Sequence, residues 1–255
     1  AYYLWPDYNS SSARFCVRLE GATSAGGLTV YYGNPTATTT SDGDATYLFF
    51  DDFGGSEIDT EKWLVYEGSP YIQGGTMVCP SVSSVYSRAP INLNNVVVAR
   101  SKLSTMGANY LSLIAVKGTF PTGPGTYGYG ILTHAGAIKG HNIKEGTHET
   151  FTDFGTSEYS NEYYISEIRK AGTTNYYKTT DKNGVVKSGS CSADSTSNNQ
   201  GYLFLIGYNG GTFTADYIYV RAYSATPPAA LTFSGEQETA SPPFTAFTAT
   251  PTAGL

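Results

Sequence analysis

The feature that most limits what this chain folds into is a series of short apolar runs with a period of two, punctuated by Gly, Asn, Pro, Ser and Thr. In residues 13–19, Ala13, Phe15, Val17 and Leu19 share one face, while Arg14, Cys16 and Arg18 take the other. Leu28-Thr29-Val30-Tyr31-Tyr32 follows, ending at a Gly33-Asn34-Pro35 turn. Toward the other end, Ile218, Val220 and Ala222 oppose Tyr217, Tyr219, Arg221 and Tyr223. Tyr202-Leu203-Phe204-Leu205-Ile206 is apolar on both faces and reads as a central strand; residues 95–103, 110–116 and 163–169 are further strands. A side-chain period of two is the signature of a strand with one buried face. No stretch holds a helical period over three turns. Many short strands with turns between them predict an all-β sandwich or barrel.

Composition agrees, and it excludes several classes of partner. Only 14% of the 255 residues are charged, whereas Tyr contributes 22 and Gly 29. Tyr, Thr and Val suit a half-buried pleated surface, and this balance predicts an extracellular β protein. The net charge is −6, and the 15 basic residues are scattered, so no stripe exists to displace phosphate counterions from a nucleic acid. No run of 18 apolar residues is present to span a membrane. The first residues lack the basic start and apolar core of a signal peptide, so the chain reads as a mature product or a piece of something longer. Cys16, Cys79 and Cys191 are too far apart for a metal knuckle. Two readings stand level: a Cys79–Cys191 disulfide with one free thiol, or three unpaired thiols. Asn9-Ser10-Ser11 is the single glycosylation sequon, because Pro35 spoils the one at Asn34.

Two boundaries divide the chain into residues 1–45, 46–224 and 225–255. Tyr31-Tyr32-Gly33-Asn34-Pro35, then a Ser/Asp-rich linker, then Phe50-Asp51-Asp52-Phe53, resembles the end of an uncharacterised domain of archaeal, especially methanogen, and bacterial surface proteins. From Phe50 to Tyr223 the chain resembles the concanavalin A-like lectin and glucanase domains. Its opening carries Ile58-Asp59 and Lys62-Trp63, and its close runs from Ala215 to Tyr223. The resemblance implies an antiparallel jelly-roll sandwich preceded by a small β segment. Residues 244–254 resemble the first strand of a PKD-type domain, after a Pro- and Thr-rich linker.

Candidate chemistry follows from these likenesses. Glu57-Ile58-Asp59-Thr60-Glu61 matches the E-I-D-x-E signature of laminarinase-type hydrolases. There, alternation along a strand points two carboxylates about 5 Å apart into one cleft. Here the signature directly follows the domain opening rather than lying on a central strand, which favours a surface turn leading to a buried Trp63. His134, His141 and His148, with Glu145, Glu149 and Asp153, lie in a Gly-rich segment and read as solvated loop residues. Related sandwiches hold a structural calcium where first and last strands meet, which points to Asp51, Asp52 and Asp216, with turn capping as the alternative. Aromatic faces stack on pyranose rings, so Tyr127, Tyr129, Tyr159, Tyr163 and Tyr164 are the candidates for lining a concave sugar-binding sheet. Taken together, these features predict a non-catalytic cell-surface module for adhesion or glycan binding, whose partners are glycans or cell-envelope components. One alternative is a filament or layer subunit assembled by strand exchange through open ends. The other is a hydrolase using Glu57 and Glu61.

Overall fold

The computed structural model describes residues 1–5, 15–18, 28–32, 40–103, 112–117, 127–134, 137–144, 147–155, 161–192, 199–207, 210–225, 231–238 and 245–251. Nearly all regular structure is strand, as the period of two requires. The chain divides into two units, one of Ala1–Thr46 with Ser224–Leu255, the other of Tyr47–Tyr223.

In chain order the elements open with β1 (Tyr2–Leu4), β2 (Phe15–Val17), β3 (Leu28–Tyr32) and the four-residue α1 (Gly43–Thr46). The larger unit contains β4 (Phe49–Asp51), β5 (Trp63–Glu67), β6 (Tyr71–Ile72), β7 (Met77–Cys79), β8 (Ser83–Ser87), β9 (Ile91–Asn92), β10 (Val96–Leu103), β11 (Ser112–Lys117) and β12 (Tyr127–His134). It continues with β13 (Ala137–Lys144), β14 (Thr147–Gly155), β15 (Tyr164–Ala171), β16 (Thr174–Thr180), β17 (Val186–Ser192), β18 (Gln200–Gly207) and β19 (Phe213–Arg221). The tail adds β20 (Leu231–Glu238) and β21 (Thr245–Pro251).

In the smaller unit β1 pairs with β2, and β21 lies between β20 and β3, all antiparallel. This corrects the expectation of a tail that opens a separate domain. Strand β21, within the segment that resembles the first strand of a PKD-type domain, has both its edges paired within the chain, one of them to β3 from the opposite end of the sequence. Strand exchange through an open end at β21 loses its basis, because the backbone groups it needs are already bonded.

The larger unit is a sandwich of two antiparallel sheets. The first runs β17-β16-β15-β10-β19-β7-β6, with β4 also on β19; the second runs β14-β13-β12-β11-β18-β8-β5, with β9 on β18. Alternation sends one face of each sheet inward. Val97 and Ala99 of β10, Ile168 of β15 and Ile218 and Val220 of β19 meet Val85 of β8, Ile131 of β12 and Leu203 and Leu205 of β18. Trp63, Tyr177, Phe154, Phe213 and Met77 are the largest side chains fully enclosed there.

One side of the sandwich is sealed by polar bonds between the edge strands β14 and β17 and their neighbours β13 and β16. Lys187 Nζ donates to the Phe154 carbonyl at 2.6 Å, and Asn142 Nδ2 to the Ser192 carbonyl at 3.3 Å. Asn175 Nδ2 donates to Asn142 Oδ1 at 3.0 Å, and Tyr177 Oη to the His141 carbonyl at 2.8 Å. Buried polar groups need such partners, since an unpaired one costs roughly 1–3 kcal/mol.

Candidate functional site

The second sheet turns an aromatic surface outward. Along β18, Leu203 and Leu205 are fully enclosed, so Tyr202, Phe204 and Ile206 stand on the opposite face. The same logic places Tyr86 of β8 outward, because Val85 is in the core. Register completes the row: Leu64 faces Tyr86, Tyr86 faces Phe204, Phe204 pairs with Ile114, and Ile114 with Gly130. Tyr86 and Tyr202 are half-buried, with ring centroids 6.2 Å apart and planes at 85°. Edge-to-face packing of this kind orients both rings at little further entropic cost. Strands β11, β12 and β18 carry no Asp or Glu, so the middle of the face has no carboxylate. The ion pair between Lys139 and Asp153, 3.7 Å, lies toward the β14 edge.

The tyrosines singled out from the sequence do not converge. Tyr129 and Tyr164 are 2% exposed and belong to the core, which corrects their assignment to a sugar-binding surface. Tyr129 Oη donates to the Leu93 carbonyl at 3.0 Å, and burial pushes its ionisation far up. Tyr163 belongs with the first sheet, where the Arg100 and Lys102 cations lie 4.3 and 5.1 Å from its ring centre. Burial, with Asp216 nearby, raises its pKa against the opposing pull of Arg100. Tyr127 is a backbone position on β12 whose side chain lies outside the described residues, as does Tyr159 entirely. Asn9 lies outside them too. Tyr202 was missed because the run from Tyr202 to Ile206 is apolar at both parities and reads as buried on both sides, and Tyr86 because its Ser-rich segment was not read as a strand.

The residues expected to hold calcium are each committed elsewhere. Asp51 Oδ2 accepts the Trp63 indole N–H at 2.7 Å, and its Oδ1 accepts the Phe53 amide at 2.8 Å. Asp52 Oδ1 caps the Gly54 amide at 3.2 Å, and Asp216 is paired with Arg100 at 2.5 Å. Ca²⁺ takes six to eight converging oxygens. These three carboxylates offer no such cradle, and the capping alternative describes Asp51 and Asp52. Among the described residues no group of three His, Cys, Asp or Glu side chains is placed to hold a metal. His141 is buried at 1% exposure, which corrects its reading as a solvated loop residue; the side chains of His134 and His148 lie outside the described residues.

Glu57 and Glu61 are both exposed and lie in the turn that precedes β5. Asp59 Oδ1 caps the Glu61 amide at 2.9 Å, and the Asp59 carbonyl accepts the Trp63 amide at 2.8 Å. The alternation that would bring two carboxylates into one cleft therefore does not apply to this segment.

The Cys79–Cys191 disulfide is also corrected. All three cysteines are free; Cys79 Sγ lies 3.9 Å from the Leu205 carbonyl, and Cys191 Sγ lies 3.1 Å from Tyr177 Oη. The two sulfurs serve different parts of the core. Burial pushes the Cys79 thiol up to about 12, and only a thiolate attacks an aromatic disulfide reagent. Thiol titration of the native protein is expected to report Cys16 alone, with Cys79 and Cys191 appearing after denaturation.

Known proteins share parts of this structure. Residues 1–66, about a quarter of the chain, match the family described as Domain of unknown function (DUF2341). No curated protein matches the chain by sequence. The sandwich is similar in fold to a pseudo beta-1,3-glucanase of Mycobacterium tuberculosis, at TM-score 0.54 and 12% identity over 70% of this chain and 99% of that one. A laminarinase from Flavobacterium sp. UMI-01 gives TM-score 0.54 and 13% identity over 69% and 99% of the two chains. Bacillus licheniformis β-glucanase gives 0.50 and 12% over 69% and 98%. The concanavalin A-like sandwich is thereby shown. The expectation that the chain is not an enzyme is overturned as a reading of the fold, since glucanases, a laminarinase and a pseudo-glucanase all share it. No helix among the described residues is long and apolar enough to cross a membrane.

Proposed function

We propose that the larger unit is an extracellular glycan-binding sandwich that takes a neutral β-glucan chain across Tyr86 and Tyr202. The observation that carries this reading is the half-buried, edge-to-face tyrosine pair on a face whose central strands bear no carboxylate. Partly exposed rings offer apolar surface to pyranose C–H groups, and their hydroxyls supply hydrogen bonds at the rim. A neutral sugar chain suits a surface whose central strands bear no carboxylate to engage. The fold shared with β-glucanases supports the choice of sugar, as analogy rather than mechanism.

The test is depletion of the protein by insoluble β-1,3-glucan, with reducing-end release measured in the same samples to read hydrolysis. Tyr202→Ala is expected to weaken binding about tenfold, near 1.4 kcal/mol, without moving the thermal midpoint. Wild-type protein that stays in solution would sink the proposal, as would equal binding by the Tyr86→Ala/Tyr202→Ala double variant.

A further inference from the structure

The first sheet has a different surface. Its outward positions on β10, β15, β16 and β19 carry Arg100, Lys102, Arg169, Lys178 and Arg221 against two carboxylates, Glu167 and Asp216. In a chain of net charge −6 this is a local excess of positive charge. Asp216 is taken by Arg100, and Glu167 is shared between Lys178 and Arg221, whose Nη2 lies 3.2 Å from it. Arg169 is held differently. Its guanidinium lies 4.0 Å from the centre of the Tyr176 ring and 3.9 Å from that of Tyr223, with no carboxylate partner among the described residues. Both rings are partly exposed, at 37% and 43%.

We propose that Arg169 is the centre of an oxyanion site for the carboxylate or sulfate groups of an acidic polysaccharide. A guanidinium stacked between two rings keeps its N–H edge free, and the rings hold that edge in one orientation. The planar fork matches two oxygens of a carboxylate or sulfate, which an ammonium does not. Register puts Arg169 and Arg221 on one transverse row, on either side of Val96. Two strand spacings separate them, roughly 10 Å. That arrangement suits a ligand carrying charges in series rather than a lone ion. The exposed rims of Tyr176 and Tyr223 add apolar contact for sugar rings beside each charge. This face belongs to the other sheet from Tyr86 and Tyr202, so the site stands independently of the neutral-glucan reading.

Affinity electrophoresis of the full chain tests it, in gels containing polygalacturonate, a sulfated galactan, or neutral laminarin. The wild-type protein is expected to be retarded by at least one anionic polymer, with the retardation lost in high salt. Retardation by polygalacturonate alone assigns a carboxylate, by the galactan alone a sulfate, and by both a general oxyanion site. Arg169→Gln is expected to weaken that retardation about tenfold, as for a lost charge-assisted bond. Arg169→Lys keeps the charge but loses the fork, and is expected to fall between the two with an unchanged thermal midpoint. No retardation of the wild type by either anionic polymer overturns the proposal. So does retardation of a folded Arg169→Gln or Arg169→Lys protein equal to that of the wild type. The laminarin gel reads the Tyr86 and Tyr202 face separately, and Arg169 variants are expected to leave it unchanged.

Discussion

Gly207→Ala is expected to destabilise the sandwich by about 3 kcal/mol, a large share of the stability of an ordinary domain. Gly207 ends β18 where the chain passes from β7 in the first sheet, through Pro80, to β8 in the second. A Cβ at Gly207 would stand 2.0 Å from the Cys79 carbonyl oxygen and 2.6 Å from that of Pro80. Both obstacles are backbone, so no side chain is available to swing aside. Val82, a β-branched residue held at φ 58° in the same connection, leaves that segment little room to shift. The cost should appear as a lower urea midpoint with an unchanged slope. Gly74 and Gly172 are the controls: nothing lies within 4 Å of a Cβ built at either, though both have positive φ. Alanine there should cost only about 1 kcal/mol, from backbone strain alone. A Gly207→Ala midpoint as high as that of the controls would show that the β7–β8 connection yields.

Trp63→Phe should cost a similar amount, about 3 kcal/mol, by two routes. Trp63 is 1% exposed and packs edge-on against Phe49 at 5.4 Å, so phenylalanine leaves a void. It also removes the indole N–H from Asp51 Oδ2, stranding a carboxylate that is itself 8% exposed. The second route has a pH signature with a definite sign. Burial already raises the pKa of Asp51, and the Trp63 hydrogen bond is the foremost opposing influence, so losing it raises that pKa further. A carboxyl whose pKa is raised on folding binds its proton more tightly in the folded state. Its contribution is fully present below the ordinary carboxylate value and is lost as pH rises through the folded pKa. The deficit of Trp63→Phe relative to wild type is therefore expected to be smallest near pH 4 and to grow toward neutrality. Denaturation curves at several pH values check it, and a deficit independent of pH would mean that only the cavity matters.

The two predictions bear on different parts of the argument from sequence. Asp51, Asp52, Lys62 and Trp63 were legible as a domain opening. Their task was not, because a carboxylate that receives an indole N–H and one that ligates calcium leave the same letters in the chain. Gly207 carried no signal at all. Its need for a missing Cβ comes from Cys79 and Pro80, well over a hundred positions away.

What the sequence by itself determined is the class of fold and the position of most strands. The strands read at residues 28–32, 95–103 and 202–206 reappear as β3, β10 and β18, the last from an apolar run too short for a helix and the others from their pattern of strand-forming residues. Tertiary structure alone decided which parity faces inward where both are aromatic. Tyr129 and Tyr164 turn into the core, whereas Tyr202 turns out. It also decided that β21 closes on β3 across the whole length of the chain, and that Arg169 lies between Tyr176 and Tyr223. The physical reason is common to all three. A period of two says which side chains share a face, while the choice of face and of partner strand is made by packing between residues that the sequence holds far apart.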